Sequence, residues 1–186
     1  ATGIVTTIGG GGEPGSDQWI SNPAGLAIDA DGNVYVSGFF SCVVQRLEPS
    51  RGTHVNANVC DTSLLSSGSS MTTDREGRLL ISDWNNGRIQ RFDAAAKSFT
   101  TVGGIVTGSL SGDGVAPESA ALREPSSVIR NARGDVFISD FGNRKVRRID
   151  SKTGLISSVL VNVGARGLAA DVNGNIYVAD YTGHRV

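Results

Sequence analysis

Apolar residues run three in a row at four places along this chain, each time directly after a polar turn that carries a glycine. The runs are Val34-Tyr35-Val36, Leu79-Leu80-Ile81, Val136-Phe137-Ile138 and Ile176-Tyr177-Val178, and the turn glycines are Gly32, Gly77, Gly134 and Gly174. A strand with one wet face alternates apolar and polar side chains, so an unbroken run predicts a strand covered on both faces. A shorter strand precedes each run, at Leu26 to Ile28, Met71 to Thr73, Ser127 to Ile129 and Leu168 to Ala170. Asp31-Gly32 and Asn173-Gly174 predict two-residue hairpin turns between the paired strands. Third strands follow at Val44 to Leu47, Ile89 to Phe92 and Val146 to Ile149, with a stub at Arg185-Val186. Fourth strands are expected at Val55 to Val59, Phe99 to Val102 and Leu155 to Val159, and residues 3–9 read as one more outer strand.

Four short strands per unit, in units that recur every 40 to 57 residues or so, predict an all-β chain folded as a β-propeller of four-stranded antiparallel blades. The blades are expected at residues 24–60, 69–103, 126–160 and 167–186, with 3–9 the outer strand of another or the closing blade. All belong to a single domain, without a helix longer than a turn or two except around Glu118 to Leu122. The last third strand stops at Val186, short of the apolar position filled by Leu47, Phe92 and Ile149 in the other units. The expectation is therefore about four blades excerpted from a larger ring.

The strings Asp83 to Ile89, Asp140 to Val146 and Asp180 to Val186 share an aspartate, an aromatic next to it and a basic residue near the next strand. They resemble the NHL repeat, and the stretch from Gly103 to Val128, with Ser111-Gly112-Asp113-Gly114 in it, resembles the long blade-joining loop of bacterial-type and teneurin-like NHL propellers. That resemblance implies a six-bladed ring. It implies no single activity, because such propellers serve as protein-binding, RNA-binding, ligand-sensing and lyase modules.

The first unit carries Gly38 where the others have Asp83, Asp140 and Asp180, and Val43 where they have Arg88, Lys145 and Arg185. Loss of both partners together is what a structural ion pair predicts, since deleting one member of a buried pair costs about 3–5 kcal/mol while replacing both is nearly neutral. Pairs are expected between Asp83 and Arg88, Asp140 and Lys145 or Arg144, and Asp180 and Arg185.

Composition narrows the function classes. A net charge of −1 and a pI near 6.1 give no global drive toward nucleic acid or anionic lipid. The recurring Arg46, Arg91 and Arg148 read as residues with stems along neighbouring blades and heads in water, which makes RNA binding the third reading. Only two histidines, His54 and His184, are present, so the leading rival, a metal-dependent lyase or lactonase type of propeller, would draw its ligands from elsewhere. No cofactor or metal is expected, and no membrane insertion. Asp29-Ala30-Asp31-Gly32-Asn33 fails the spacing of a calcium loop and reads as a turn.

The leading reading is a non-catalytic interaction module that binds a protein or other ligand. In an antiparallel meander, the loop between the second and third strands lies at the same end as the connection between blades. Phe39, Trp84, Phe141 and Tyr181 occupy the first kind of loop, and the long insertions before Pro23 and Pro125, with Asp113, belong to the second. One face therefore gathers aromatics and variable loops. Finally, antiparallel pairing about a loop centred on Arg51 sets Cys42 opposite Cys60. A disulfide there implies an extracellular, cell-surface or periplasmic location.

Overall fold

The structure is a computed structural model that describes residues 20–40, 42–48, 53–56, 65–105 and 112–186, together with Ile8. The first blade is a meander of β1 (Pro23–Ile28), β2 (Val34–Gly38), β3 (Val44–Glu48) and β4 (Thr53–Asn56). The second repeats it with β5 (Gly68–Thr73), β6 (Leu79–Asp83), β7 (Arg88–Asp93) and β8 (Ser98–Gly103). The third has β9 (Pro125–Arg130), β10 (Val136–Asp140), β11 (Lys145–Ile149) and β12 (Ile156–Val161). In the fourth, β13 (Ala165–Ala170) pairs with β14 (Ile176–Asp180), and Arg185 bridges back to Asp180. Helix is confined, among the described residues, to single 3-10 turns at Pro117–Ser119 and Phe141–Asn143. The fold is a β-propeller type, all antiparallel. Residues 3–9, Ile8 apart, lie outside the described residues, and so do 57–60 of the expected first blade.

The unbroken apolar runs fall on the second strand of each blade. β6 is buried along its whole length, and β2 and β10 along all but their first residue. The cause is stacking of blades. Leu65, Met71, Leu79, Ile81 and Phe92 pack with Tyr35 and Val44 of the first blade, and Leu80 and Ile89 of the second pack with Val128, Ile138 and Ile156 of the third. The two end blades each keep an uncovered face, with Leu26 and Ile28 of β1 at one end and Val172 and Tyr177 at the other all half or more exposed.

The innermost strands stand side by side, β1 against β5, β5 against β9 and β9 against β13. Small residues permit the approach: a Cβ on Gly68 would fall 2.7 Å from the Ser37 Cβ. Serines stitch the seam. Ser37 donates to the Gly68 carbonyl at 2.9 Å, Ser69 to that of Pro125 at 3.1 Å, and Ser126 and Ser139 to that of Ala165.

Three expectations need correction. The hairpin loops hold three residues rather than two: Gly32 N–H bonds the Asp29 carbonyl, Asp29 N–H bonds the Asn33 carbonyl, and Gly32 sits at φ +82. The Asp29 carboxylate accepts the N–H groups of Asp31 and Asn33, a local bond that favours a turn plus a left-handed glycine over the two-residue form. The register of β3 with β4 pairs Gln45 with Asn56 and Glu48 with Thr53, one residue away from the register that a loop centred on Arg51 predicts. The recurring arginines are also paired rather than simply solvated. Arg91 lies 3.1 Å from Asp74, Arg148 lies 3.0 Å from Asp135 and 2.7 Å from Asp150, and Arg46 meets Glu48.

Candidate aromatic binding face

The loops that follow β2, β6, β10 and β14 are each tied to the segment that enters the same blade. Phe39 N–H donates to the Asn22 carbonyl at 2.7 Å, Trp84 to Ser67 at 3.0 Å and Tyr181 to Gly164 at 2.9 Å. In the third blade the bond moves one residue on, from Gly142 to Arg123 at 2.9 Å, because Phe141 opens a 3-10 turn. These bonds place one aromatic per blade at the same height and the same end.

In the last three blades the aspartate before the aromatic secures that link from the other side. Asp83 accepts the N–H groups of Ser66 and Ser67 at 3.2 and 3.1 Å, Asp140 that of Arg123 at 2.8 Å, and Asp180 that of Gly164 at 3.0 Å. Their cations come second. Arg88 stands 3.8 Å from Asp83, and Arg185 lies 3.1 Å from Asp180. At Asp140 the partner is Arg147, 3.6 Å away, not Lys145 or Arg144. Arg147 is buried on β11 and reaches both Asp140 and, at 3.3 Å, Asp113, whereas Arg144 is exposed, at φ +54. Burial pushes the Asp140 carboxyl above the usual range, against the Arg123 N–H, Asn143 and Arg147. At Asp180 burial also acts upward, but bonds from Thr182, Gly164, Gly183 and Arg185 outweigh it and hold the carboxyl low.

The aromatics form a continuous row. Ring centroids are 6.3 Å apart for Phe39 and Trp84 and 5.6 Å for Trp84 and Phe141. Phe40 extends the row from Phe39 at 4.4 Å, 72 % exposed and at φ +58, where a bulky side chain is rare. Phe39, Trp84 and Phe141 are half-buried, and Tyr181 is 63 % exposed.

The sequence reasoning missed the residue at the centre. The Arg166 guanidinium carbon lies 4.6 Å from the Phe141 ring centroid, 5.1 Å from Tyr181 and 5.3 Å from Trp84, all within the roughly 6 Å of a cation–π contact. A β-bulge aims it there. Each innermost strand carries one extra residue at the same step, Ala24 in β1, Ser69 in β5, Ser126 in β9 and Arg166 in β13, and bulges re-aim side chains. Aligning the four units on their turn glycines would have shown one arginine among small residues. Phe40 had a signal too, a second aromatic where the other units have Asn85, Gly142 and Thr182.

Asp113 is not part of this group. It accepts a hydrogen bond from the Ser158 hydroxyl at 2.9 Å on the outer strand. The Ser158 bonds lower its pKa first, aided by Arg147 and Lys145, so it anchors the blade-joining loop. His184 is exposed and shares a left-handed turn position with Gly87 and Arg144. Among the described residues no three of His, Cys, Asp and Glu converge as a metal site would require. Residues 9–19 and 106–111 of the two long insertions lie outside the described residues, as does Cys60. Cys42 is buried and engaged.

The family model of the NHL repeat matches residues 163–186. No curated protein matches the sequence. Among solved structures, an auxiliary nutrient binding protein from Bacteroides ovatus superposes at TM-score 0.66 with 17% identity over 85% or more of the chain, 88% of this one and 46% of that one. A chain of a nidogen/laminin complex superposes at TM-score 0.67 with 19% identity, covering 85% of this chain and 56% of that one. Virginiamycin B lyase from Staphylococcus aureus superposes at TM-score 0.61 with 15% identity, covering 85% of this chain and 48% of its own. The chain spans about half the length of these proteins, and at such identities the likeness is one of fold.

Proposed function

We infer that this chain, which carries an NHL repeat at residues 163–186 on a propeller-type fold, is a binding module without catalytic function that receives a protein or other ligand on its aromatic face. The observation that carries this reading is one ring from each blade at the same end, Phe39, Trp84 and Phe141 in a row and Trp84, Phe141 and Tyr181 around Arg166. Trp, Tyr and Arg are the residue types on which binding energy concentrates. The nutrient-binding and laminin-complex neighbours have the same fold and are consistent with such a role.

A panel of small aromatic, sugar and peptide fragments, followed by NMR of the labelled chain, tests it. Hits should perturb Trp84 and Phe141, and the Trp84→Ser, Phe141→Ser double variant should lose them. Ring–ring contacts contribute about 0.5–1.5 kcal/mol each beyond area, so that variant should stay folded at room temperature. Hits that cluster elsewhere, or a double variant that fails to fold, would overturn the reading.

The lyase or lactonase alternative has support from the fold of its neighbours alone, virginiamycin B lyase and a putative gluconolactonase. RNA recognition is disfavoured by the pairing of Arg46, Arg91 and Arg148 with carboxylates.

We also propose the Cys42–Cys60 disulfide and, with it, an extracellular, cell-surface or periplasmic setting. Continued without interruption, the β3–β4 register would set Cys42 opposite Val59. The second and third blades, however, both place a bulge between the third and fourth strands, at Ile89/Gln90 and Val146/Arg147. A bulge at the corresponding Val44/Gln45 step would bring Cys60 across from Cys42. Thiol titration of the denatured, unreduced protein should find no free thiol; two would remove both the bond and the argument for location.

A further inference from the structure

We propose that Arg166 makes the aromatic face a receptor for a carboxylate carried on a flat or apolar body. The proposal rests on the reading of that face as a binding surface and names the chemistry it selects.

Three features carry it. Arg166 has ring contacts but neither a hydrogen bond nor an ion pair with any described residue. The face of a ring attracts the charge but is a weak acceptor, so the five N–H donors of the guanidinium remain available. The aspartates that precede the three rings, Asp83, Asp140 and Asp180, are buried and turned into their own loops by backbone N–H groups, so these do not compete for the guanidinium. The bulge that aims Arg166 recurs in all four blades, yet only here does it carry a charge.

The fork of a guanidinium matches two oxygens of a carboxylate in one plane. Trp84, Phe141 and Tyr181 around it offer apolar faces to whatever bears that carboxylate. The shared chemistry is a carboxylate next to an aromatic or aliphatic group, presented by a free organic acid or by an acidic residue of a bound polypeptide.

The test uses the full chain, labelled with nitrogen-15, at neutral pH and constant ionic strength. Benzoate should shift the Arg166 Nε–H and Trp84 indole resonances saturably. Benzamide, the same ring without the charge, should bind about tenfold or more weakly, the factor expected for a charge-assisted bond of this kind. R166Q should erase the difference between the two compounds, and R166K should keep part of it. Equal binding of benzoate and benzamide, or benzoate affinity that survives R166Q, overturns the proposal while leaving the aromatic face as a binding surface. Inorganic phosphate that competes as well as benzoate overturns the carboxylate assignment. No response to either ring compound overturns the proposal as well, and the fragment panel then decides the wider reading on its own. A blocked Phe-Glu-Phe peptide that binds more tightly than benzoate assigns the carboxylate to a polypeptide; weaker binding assigns it to a small acid.

Discussion

Asp83 offers the sharpest test of how the aromatic loops are held. Its Oδ1 accepts from the Ser66 and Ser67 N–H groups, its Oδ2 accepts from the Asn86 side chain at 2.7 Å, and Arg88 stands farther off at 3.8 Å. The side chain has no solvent exposure. Asp83→Ala strips two backbone donors of their acceptor, at about 1–3 kcal/mol for each unsatisfied group. The change should therefore cost roughly 3–4 kcal/mol, which for a chain of this size lowers the Tm by roughly 6–16 °C. Asp83→Asn keeps an oxygen for Ser66 and Ser67 but sets an amide donor against the Asn86 donor, so about 1–2 kcal/mol is expected. Urea unfolding measures both, with the Trp84 indole resonance reporting whether the loop has moved. If Asn costs as much as Ala, the charge and Arg88 hold the loop rather than the backbone bonds. If Ala costs under about 1 kcal/mol, the loop does not depend on this carboxylate and the structural reading of the repeat aspartates fails.

Two further outcomes follow from the same loops and from the turn carboxylates. Gly87→Ala should destabilise by about 2 kcal/mol or more, because φ is +61 and the new Cβ would lie 2.7 Å from the Leu122 carbonyl oxygen; Arg144→Gly at the equivalent left-handed step should be tolerated, and thermal melts of both compare them directly. At Asp135 burial acts upward, but the Ser151 bonds, Arg148 and Asn131 outweigh it and hold the carboxyl below its usual 3.8. Its contribution is present above that pH and lost as pH falls through the folded value, so Asp135→Asn should flatten the acid limb of the stability curve. Asp140, raised by burial, has the opposite sign: its contribution is present at low pH and lost as pH rises through its folded value.

Periodicity was enough to read the blades. Strand type, order and the doubly covered second strands of the first three blades follow from local patterns of apolar residues and turn glycines, which depend on nearest neighbours along the chain; β14 has the same apolar run but leaves Tyr177 half exposed. The gathering of Phe39, Trp84, Phe141 and Tyr181 at one end was likewise legible, because strand alternation in a meander fixes which loops share an end. The register of β3 with β4 was not, since a one-residue slip changes nothing in composition, and only the hairpin geometry selects between the two. The cation at Asp140 also escaped: Lys145 is directly across in register, yet the longer, buried Arg147 reaches the carboxylate and ties it to Asp113. Arg166 is the clearest case. In the sequence it is one arginine at the start of an inner strand; packing of four blades side by side brings rings from three of them around it, and the bulge turns its side chain toward them. Local patterns determined the elements, and the convergence of residues 84, 141, 166 and 181 was decided by tertiary structure because contacts across blades leave no periodic trace along the chain.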